Sequence, residues 1–370
     1  MVASAFSAYD YQYMAEALRL AEQGIYTTTP NPRVGCVIVK DGLIVGRGAH
    51  LKAGEPHAEV HALRQAGAFA RGADAYVTLE PCSHFGRTPP CADALVQAGI
   101  KRVVAAMQDP NPQVAGNGLR RLQAAGIEVT SGLLEAQAQI LNQGFISRMT
   151  RQRPYVRSKM GASLDGRTAL SNGVSKWITS EPARLDVQRW RAQSCAILTG
   201  IGTVLADDPQ MTVRDSLLLD KTAGRQPLRV VVDSHLRMPL DAKILGANTL
   251  IAYTGDPQQK TSALERTGAD LMKLPESAGY VCLSGLLRAL AERGINDLMV
   301  EAGQGLNGAL MREKLLDELL IYYAPVILGG DAHGMFASLG LTEMRQRTEL
   351  KIIDMRQIGS DILIRLTPQC

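Results

Sequence analysis

The sequence predicts an α/β protein built from two domains. Its 370 residues exceed the usual size of one domain, which favours two. Helical patterns alternate with short apolar, partly β-branched runs along the chain. A polar, basic segment that ends in proline, residues 148–154, interrupts this alternation. We therefore place one domain in residues 1–150 and the other in residues 151–370.

In the first domain the predicted order is helix, hairpin, helix, and then strands and helices in alternation. Asp41-Gly42 between two apolar runs is a strong hairpin signal. Pro90 suits the first turn of a helix, and Gly24 and Gly99 end helical patterns. The predicted helices are residues 11–22, 55–66, 91–98, 118–125 and 133–149. The predicted strands are residues 34–39, 43–45, 75–79, 102–106 and 127–130. This order favours one sheet with helices on both faces.

The second domain ends in consecutive strands, so we expect a mixed sheet. Its predicted strands are residues 155–160, 196–198, 229–232, 249–253, 298–301, 318–323, 350–354 and 361–366. Its predicted helices are residues 181–193, 284–293 and 305–314, with Ser284 as an N-cap. Residues 256–276 are polar and weakly patterned, and we expect a variable surface segment there.

Composition excludes several classes of protein. The apolar fraction is 46% and the charged fraction 21%, which is ordinary for a globular chain. The net charge is +4, but Lys and Arg are scattered, whereas nucleic acid needs a basic cluster. An anionic small substrate explains the balance equally well. Residues 8–23 lack the pattern of a signal peptide, and no apolar run reaches the length of a membrane span. We therefore expect a cytoplasmic protein.

Residues 56–91 carry the pattern of a metal site. His57, Cys82 and Cys91 offer one nitrogen and two thiolates, which leaves one position of a tetrahedral zinc ion open for water. His57 and Cys91 fall in the first turns of predicted helices, where partial positive charge favours thiolates. Glu59 follows His57 by two residues, near the metal but turned from ligation. That placement suits the proton shuttle of a zinc deaminase.

A structural zinc ion with four protein ligands stays open as an alternative. His61 or His84 would be the fourth ligand, and His61 shares a helical face with His57. The pattern is not that of His-Glu-x-x-His metalloproteases, since Glu59 stands one position too late. A single His-x-Glu or a single Pro-Cys is common by chance. The interpretation as a zinc site depends on the joint occurrence of His57-x-Glu59 with the Pro-Cys pairs at Cys82 and Cys91.

His57-Ala58-Glu59, together with the run from Pro81 to Cys91, resembles the bifunctional riboflavin-biosynthesis deaminase–reductase family. Eight residues separate Cys82 from Cys91, where nucleic-acid deaminases usually have two. Residues 31–35 and 108–112 also resemble that family. The resemblance implies a cytidine-deaminase-like three-layer domain, in which Asn31, His50 and His84 line the substrate pocket. The alternative for the Asn-Pro segments is turn formation.

The second half resembles the reductase of the same family, which has a dihydrofolate-reductase-like fold. Glycines at a strand-to-helix turn let backbone N–H groups approach phosphates, although helix-start turns alone explain them equally well. The residues that the resemblance assigns to NADPH are Gly161, Trp177, Thr203, Asp207, Ser234, Gly303, Gln304, Gly305, Leu306, Asn307, Gly308 and Ala309. Those that it assigns to substrate are Lys159, Ser175, Arg191, Met211, Arg214 and Glu301. Arg191 and Arg214 would suit a ribose 5-phosphate, or form surface ion pairs.

The implied function is two successive steps of riboflavin biosynthesis. Zinc-dependent hydrolytic deamination of 2,5-diamino-6-(5-phosphoribosylamino)pyrimidin-4-one, with Glu59 as proton carrier, precedes NADPH reduction of the ribosyl chain to ribityl. The resemblance implies one zinc ion per deaminase domain, a small phosphorylated substrate, a dimer or tetramer, and no nucleic acid or membrane partner. Two alternatives remain, a tRNA deaminase with an accessory domain and a non-catalytic zinc-stabilised binding module.

Overall fold

The computed structural model describes residues 6–83, 90–112 and 114–369. The chain divides into two compact units, Met1–Gln152 and Arg153–Cys370. In the described part of the chain, no helix has both the length and the apolar character needed to cross a membrane.

The first unit is a five-stranded mixed sheet with helices. Its strands are β1 (Gly35–Lys40), β2 (Leu43–Ala49), β3 (Asp74–Val77), β4 (Arg102–Ala105) and β5 (Glu128–Ser131). Its helices are α1 (Ala8–Ala21), α2 (Ala58–Ala66), α3 (Cys91–Gln97), α4 (Asn117–Ala124), α5 (Glu135–Leu141) and α6 (Gln143–Arg151). The sheet order is β2-β1-β3-β4-β5. Strand β1 pairs antiparallel with β2 and β3, whereas β3, β4 and β5 run parallel.

Local sequence signals explain the hairpin and the start of α1. Asp41 and Gly42 have φ angles of 50° and 77°, which the twist of a two-residue hairpin requires. This confirms the predicted hairpin. Helix α1 begins three residues earlier than predicted, because Ser7 and Asp10 form a reciprocal capping box.

The predicted single helix over residues 133–149 is wrong, because the chain breaks into α5 and α6 at Asn142. The side chain of Asn142 accepts a hydrogen bond from the backbone N–H of Arg33 at 2.8 Å and donates one to its carbonyl at 3.0 Å. This pairing is more than 100 residues apart in sequence, so helical periodicity could not reveal it.

Glycines let α1 and α2 lie directly on opposite faces of the first sheet. A Cβ on Gly35 would lie 1.9 Å from the carbonyl oxygen of Ala17 in α1. A Cβ on Gly48 would lie 2.0 Å from that of Ala58 in α2. Gly48 pairs with Cys36, the neighbour of Gly35 in β1, and neighbouring residues of a strand face opposite sides. The result is a three-layer unit with α2 held close to the sheet.

The second unit contains a nine-stranded mixed sheet. The strands of the unit are β6 (Tyr155–Ser163), β7 (Arg167–Ala169), β8 (Ala196–Gly200), β9 (Leu228–Val232), β10 (Thr249–Tyr253), β11 (Asp270–Lys273), β12 (Glu276–Ser277), β13 (Tyr280–Val281), β14 (Asp297–Val300), β15 (Glu318–Ala324), β16 (His333–Gly334), β17 (Leu350–Ile358) and β18 (Asp361–Pro368). Strands β12 and β13 form one separate two-stranded pair, and β7 and β16 form another. The large sheet has the order β11-β10-β9-β8-β14-β6-β15-β18-β17. The first seven strands in this order, from β11 at the edge through to β15, are parallel to one another. The pairings of β15 with β18 and of β18 with β17 are antiparallel.

Helices pack on this sheet, and successive residues of its strands belong to two different buried apolar clusters. The helices are α7 (Glu181–Gln193), α8 (Ile201–Asp207), α9 (Ser216–Lys221), α10 (Thr261–Glu265), α11 (Leu283–Glu292) and α12 (Gln304–Arg312). Leu198 and Leu298 belong to one buried cluster, whereas their neighbours Ile197 and Met299 belong to another. The N-cap of α11 is Cys282, so the prediction of Ser284 was wrong. The weakly patterned residues 256–276 contain α10 and strand β11, which pairs with β10.

Candidate functional site

Three elements of the first unit bring His57, Cys82 and Cys91 together. His57 is the N-cap of α2, Cys82 lies in the segment after β3, and Cys91 begins α3. Their ligand atoms all lie within 4.8 Å of one another. Nδ1 of His57 lies 3.3 Å from Sγ of Cys91 and 3.6 Å from Sγ of Cys82. His57 stands one position before the helix, whereas the sequence predicted it inside the first turn. The set of one nitrogen and two sulfurs fits a zinc ion with one open position.

The thiols of Cys82 and Cys91 act on each other and on His57. Hydrogen bonding from the Cys91 thiol, from His57 and from the backbone N–H of Cys91 lowers the pKa of the Cys82 thiol. The interaction with Cys82, together with burial, raises the pKa of the Cys91 thiol. A bound metal ion would hold both sulfurs as thiolates, since metal ligation deprotonates thiols.

Glu59 lies beside this cluster with its side chain buried. The residue is only 3% exposed, and burial together with the negative charge of Cys82 raises its pKa to about 7. Its Oε2 atom is buried and has no hydrogen-bond partner in the described part of the chain. A carboxyl group with a pKa near neutrality can both accept and release a proton at neutral pH.

His61 does not join the ligand cluster. Among residues 6–83, 90–112 and 114–369, the group of metal-ligating side chains at this point contains His57, Cys82 and Cys91 only. Nε2 of His61 is buried and has no hydrogen-bond partner there. His84, the other predicted candidate for a fourth ligand or a substrate contact, lies outside the described residues.

His50 lies next to His57, and Asn31 lies next to His50. The carbonyl of Pro56 can only accept, so Nδ1–H of His50 donates to it over 3.2 Å. The remaining nitrogen, Nε2, then accepts from Nδ2 of Asn31 at 3.1 Å. Burial lowers the pKa of His50, which favours this neutral form. The His50 ring meets the His57 ring edge-on, with centroids 5.3 Å apart. Both nitrogens of His50 therefore bond to the protein, and His50 orients Asn31.

In the second unit, Lys159, Arg191 and Glu301 gather on one face of the large sheet. The guanidinium of Arg191 donates to both oxygens of Glu301, at 2.6 and 2.9 Å, and to the carbonyl of Thr212 at 3.0 Å. Lys159 and Glu301 directly follow Ser158 and Val300, the last paired residues of β6 and β14, and burial lowers the pKa of Lys159. Burial also opposes ionisation of Glu301, but Arg191, Lys159 and Arg214 lower its pKa. The guanidinium of Arg191 is thus paired with Glu301, whereas the side chain of Arg214 is exposed.

Four further predicted residues lie in different surroundings. Ser175 donates to Asp207 at 3.4 Å. Trp177 is 71% exposed and lies against the guanidinium of Arg184, 4.5 Å from the ring centre. Met211, predicted to contact substrate, is buried in an apolar cluster. Packing in this apolar cluster therefore explains why the side chain of Met211 is buried.

The glycine-rich segment before and within α12 divides into an open part and a packed part. A Cβ on Gly303 or Gly305 would meet nothing within 4 Å. A Cβ on Gly308 would lie 3.1 Å from the backbone nitrogen of Ala337. Asn307 is buried and accepts a hydrogen bond from Ser158 at 2.9 Å. The first turn is therefore open to a ligand, and the second holds the helix in place.

Other predicted cofactor contacts have protein partners or lie beside this turn. Gly161 lies on the face of Lys159, since a Cβ there would be 3.9 Å from Nζ of Lys159. The hydroxyl of Ser234 accepts from the backbone N–H of Val281 at 3.0 Å. Gln304 lies 3.2 Å from Nδ1 of His333. The remaining members of the predicted set sit on α8 or α12, namely Thr203, Leu306 and Ala309.

Sequence reasoning missed two acidic residues, Glu80 and Asp165, that hold the backbone near these sites. Glu80 accepts hydrogen bonds from four backbone N–H groups, one at Asp109 and three around the start of α4. Asp165 accepts from the backbone of Leu328 and Gly329, at 3.2 and 2.9 Å. Glu80 lies two residues before the predicted ligand Cys82, and Asp165 lies four residues after the predicted cofactor contact Gly161. An acidic residue close to a predicted site residue was the available signal.

Comparisons with known proteins match both units. Residues 154–364 match the family model of the RibD C-terminal domain, and residues 7–107 match the cytidine and deoxycytidylate deaminase zinc-binding region. The chain is 52% identical to riboflavin biosynthesis protein RibD of Escherichia coli K12, over 96% of this chain and 99% of that protein. A structure of Acinetobacter baumannii RibD aligns with a TM-score of 0.90 and 47% identity, over 98% of this chain and 99% of that one. A Thermotoga maritima diaminohydroxyphosphoribosylaminopyrimidine deaminase/5-amino-6-(5-phosphoribosylamino)uracil reductase aligns with a TM-score of 0.84 and 33% identity, with the same coverage.

Proposed function

The chain belongs to the RibD family of riboflavin-biosynthesis proteins, and from this premise we propose which of its residues carry each reaction. The protein is a bifunctional deaminase and reductase of riboflavin biosynthesis that uses zinc and NADPH. The observation that carries the residue assignment is the convergence of His57, Cys82 and Cys91 beside the buried carboxyl of Glu59.

For the deaminase step we assign the zinc ion to His57, Cys82 and Cys91. Zinc supplies acidification of a water molecule when it is bound. Oε2 of Glu59, buried and without a partner among the described residues, accepts the proton that the attacking water loses. Glu59 then delivers it to the amine nitrogen that leaves the pyrimidine ring as ammonia. We assign binding of the pyrimidine to Asn31, which His50 orients.

For the reductase step we assign the substrate to the face that carries Lys159 and Glu301. Arg191 uses two of the lone-pair positions on Glu301, and a carboxylate has about four, so Glu301 can still accept from a ribose hydroxyl. The exposed guanidinium of Arg214 suits the 5-phosphate. NADPH supplies the hydride when it is bound. The open backbone at Gly303 and Gly305 offers N–H groups to its phosphates.

A coupled assay of ammonia release and NADPH consumption tests these assignments. Glu59→Gln keeps the size of the side chain but removes its proton exchange. We expect ammonia release from the diaminopyrimidine to be abolished, while NADPH oxidation with already deaminated substrate continues. Loss of both activities in this variant would contradict separate sites in the two units.

We further propose a small phosphorylated pyrimidine substrate, no nucleic-acid partner and a cytoplasmic location. The scattered basic residues support the first two points. Free thiols at Cys36 and Cys282 support the third, because a reducing compartment keeps thiols unpaired. Binding of RNA at moderate salt in a gel-shift experiment would contradict the proposal and favour the tRNA-deaminase alternative.

We also propose that a second copy of the chain covers β17, which makes a dimer the smallest assembly. Strand β17 is the edge of the nine-stranded sheet, and Ile352, Ile353 and Met355 on it are exposed. A long apolar edge strand associates with other chains unless it is covered. Ile353→Lys should therefore shift the mass measured by light scattering towards the monomer, whereas Leu217→Lys, at an exposed position on α9, should not.

A further inference from the structure

Helix α4 is bound at its start to the segment that carries Cys82. The buried carboxylate of Glu80 accepts from the backbone N–H groups of Gly118 and Leu119 through Oε1, at 2.7 and 3.3 Å. Its Oε2 atom accepts from Asp109 and Gly116, at 3.1 and 2.9 Å. Free N–H groups at the first turn of a helix favour a negative partner. Glu80 is thereby fully engaged by the backbone, two residues before Cys82.

The backbone of α4 also lies directly against this segment. A Cβ on Gly118 would lie 1.9 Å from the carbonyl oxygen of Pro81 and 3.2 Å from Cγ of Glu80. Real Cβ atoms do not approach a backbone oxygen so closely, so only glycine permits this contact. The position of Cys82 is therefore coupled to the position of α4.

Arg121 extends the same coupling to the second thiol. Its Nη1 donates to the carbonyl of Ser83 at 3.2 Å, and its Nη2 donates to Asp93 at 2.8 Å. A second contact, from Nε to the other oxygen of Asp93, completes a two-point ion pair. Ser83 directly follows Cys82, and Asp93 stands two residues after Cys91 in α3. One guanidinium group thus joins the two segments that carry the thiols.

We propose that α4, through Glu80 and Arg121, sets the separation and direction of the Cys82 and Cys91 thiols. This inference rests on the proposed zinc site and assigns it two positioning residues. Neither side chain bonds to the sulfurs or to His57, so both act through the backbone of the thiol-bearing segments. Zinc holds its ligands at short, directed distances, and groups that orient ligands typically change metal affinity by about 10–100-fold.

The test compares Arg121→Gln with Arg120→Gln in the full-length chain. Arg120 lies on the same helix but donates to Asn117 within it, so it is a matched control. Zinc affinity is measured by competition with a chromogenic chelator, and the site geometry by the absorption bands of bound cobalt(II). We expect Arg121→Gln to weaken zinc binding about 10-fold or more, to shift the cobalt bands and to lower the deaminase kcat with little change in KM. Arg120→Gln should change none of these.

Glu80→Gln is the second variant, because its amide would turn N–H donors towards backbone N–H groups. It should also shift the cobalt bands, and NADPH oxidation should be unchanged in every variant. If Arg121→Gln and Glu80→Gln lower only the melting temperature and keep the zinc affinity and cobalt spectrum, the positioning role is refuted. Cys82→Ser separates the two proposals: if it retains zinc, the ligand assignment itself fails, and the role of α4 fails with it.

Discussion

Replacement of Arg191 with methionine tests the ion pair in the reductase site. Arg191 and Glu301 are about 11% and 10% exposed, and the variant would leave Glu301 buried without its two-point partner. Removal of one member of a buried ion pair costs about 3–5 kcal/mol of stability. Lys159 and Arg214 still act on Glu301, so we expect a loss of about 3 kcal/mol.

The loss of stability should depend on pH. In the unaltered protein the neighbouring cations lower the pKa of Glu301, so the stabilisation by its carboxylate is present above the unfolded-state pKa and is lost as pH falls through the lower folded-state pKa. Without Arg191, burial raises the folded-state pKa above the unfolded one. The carboxylate then destabilises the fold at neutral pH, and the penalty should shrink as pH falls from about 7.5 towards about 5.

Tryptophan fluorescence during urea unfolding measures this change in one unit. The chain has two tryptophans, Trp177 and Trp190, and both belong to the second unit. Reductase activity should fall, whereas ammonia release by the first unit should not. The double variant R191M/E301Q should recover most of the lost stability, because it leaves no unpaired charge. A penalty that is equal at both pH values and persists in the double variant would refute the reasoning.

Three further predictions concern the first unit. Gly48→Ala should push α2 away from the sheet, because the new Cβ would lie 2.0 Å from the carbonyl of Ala58; we expect a loss of bound zinc, measured by elemental analysis, and normal zinc content would contradict it. Asn142→Ala should remove two hydrogen bonds to the part-buried backbone of Arg33, lower the free energy of unfolding by about 1 kcal/mol and raise the deaminase KM; an unchanged KM in steady-state assays would count against it. Zinc removal by a strong chelator should stop ammonia release but leave NADPH oxidation intact, and a parallel loss of both activities would argue for metal dependence of both units.

The sequence predicted best what depends on neighbouring residues. The Asp41-Gly42 hairpin follows from backbone conformations that those two residues adopt readily. Helix α7 and strand β10 have the predicted bounds, because apolar periodicity and flanking signals are local. The fold class followed from the alternation of helical and strand patterns, and the family from the residues around His57, Cys82 and Cys91 together with the segments of the second half.

Contacts between distant segments were beyond such reasoning. The break at Asn142 depends on Arg33, and periodicity alone therefore predicted one helix instead of two. Arg191 carries a charge that suits a phosphate, but only the fold shows that Glu301 occupies its guanidinium.

The sequence by itself determined the chemistry that this protein can perform, because the ligand types, the nearby carboxylate and the cysteine spacing are covalent properties of the chain. The tertiary structure decided how that chemistry is supported. Burial of Glu59, the hold of Glu80 and Arg121 on the thiol segments, and the pairing of Arg191 with Glu301 all join residues that folding brings together. Desolvation and hydrogen-bond geometry exist only after folding, so they could not be inferred from residue order.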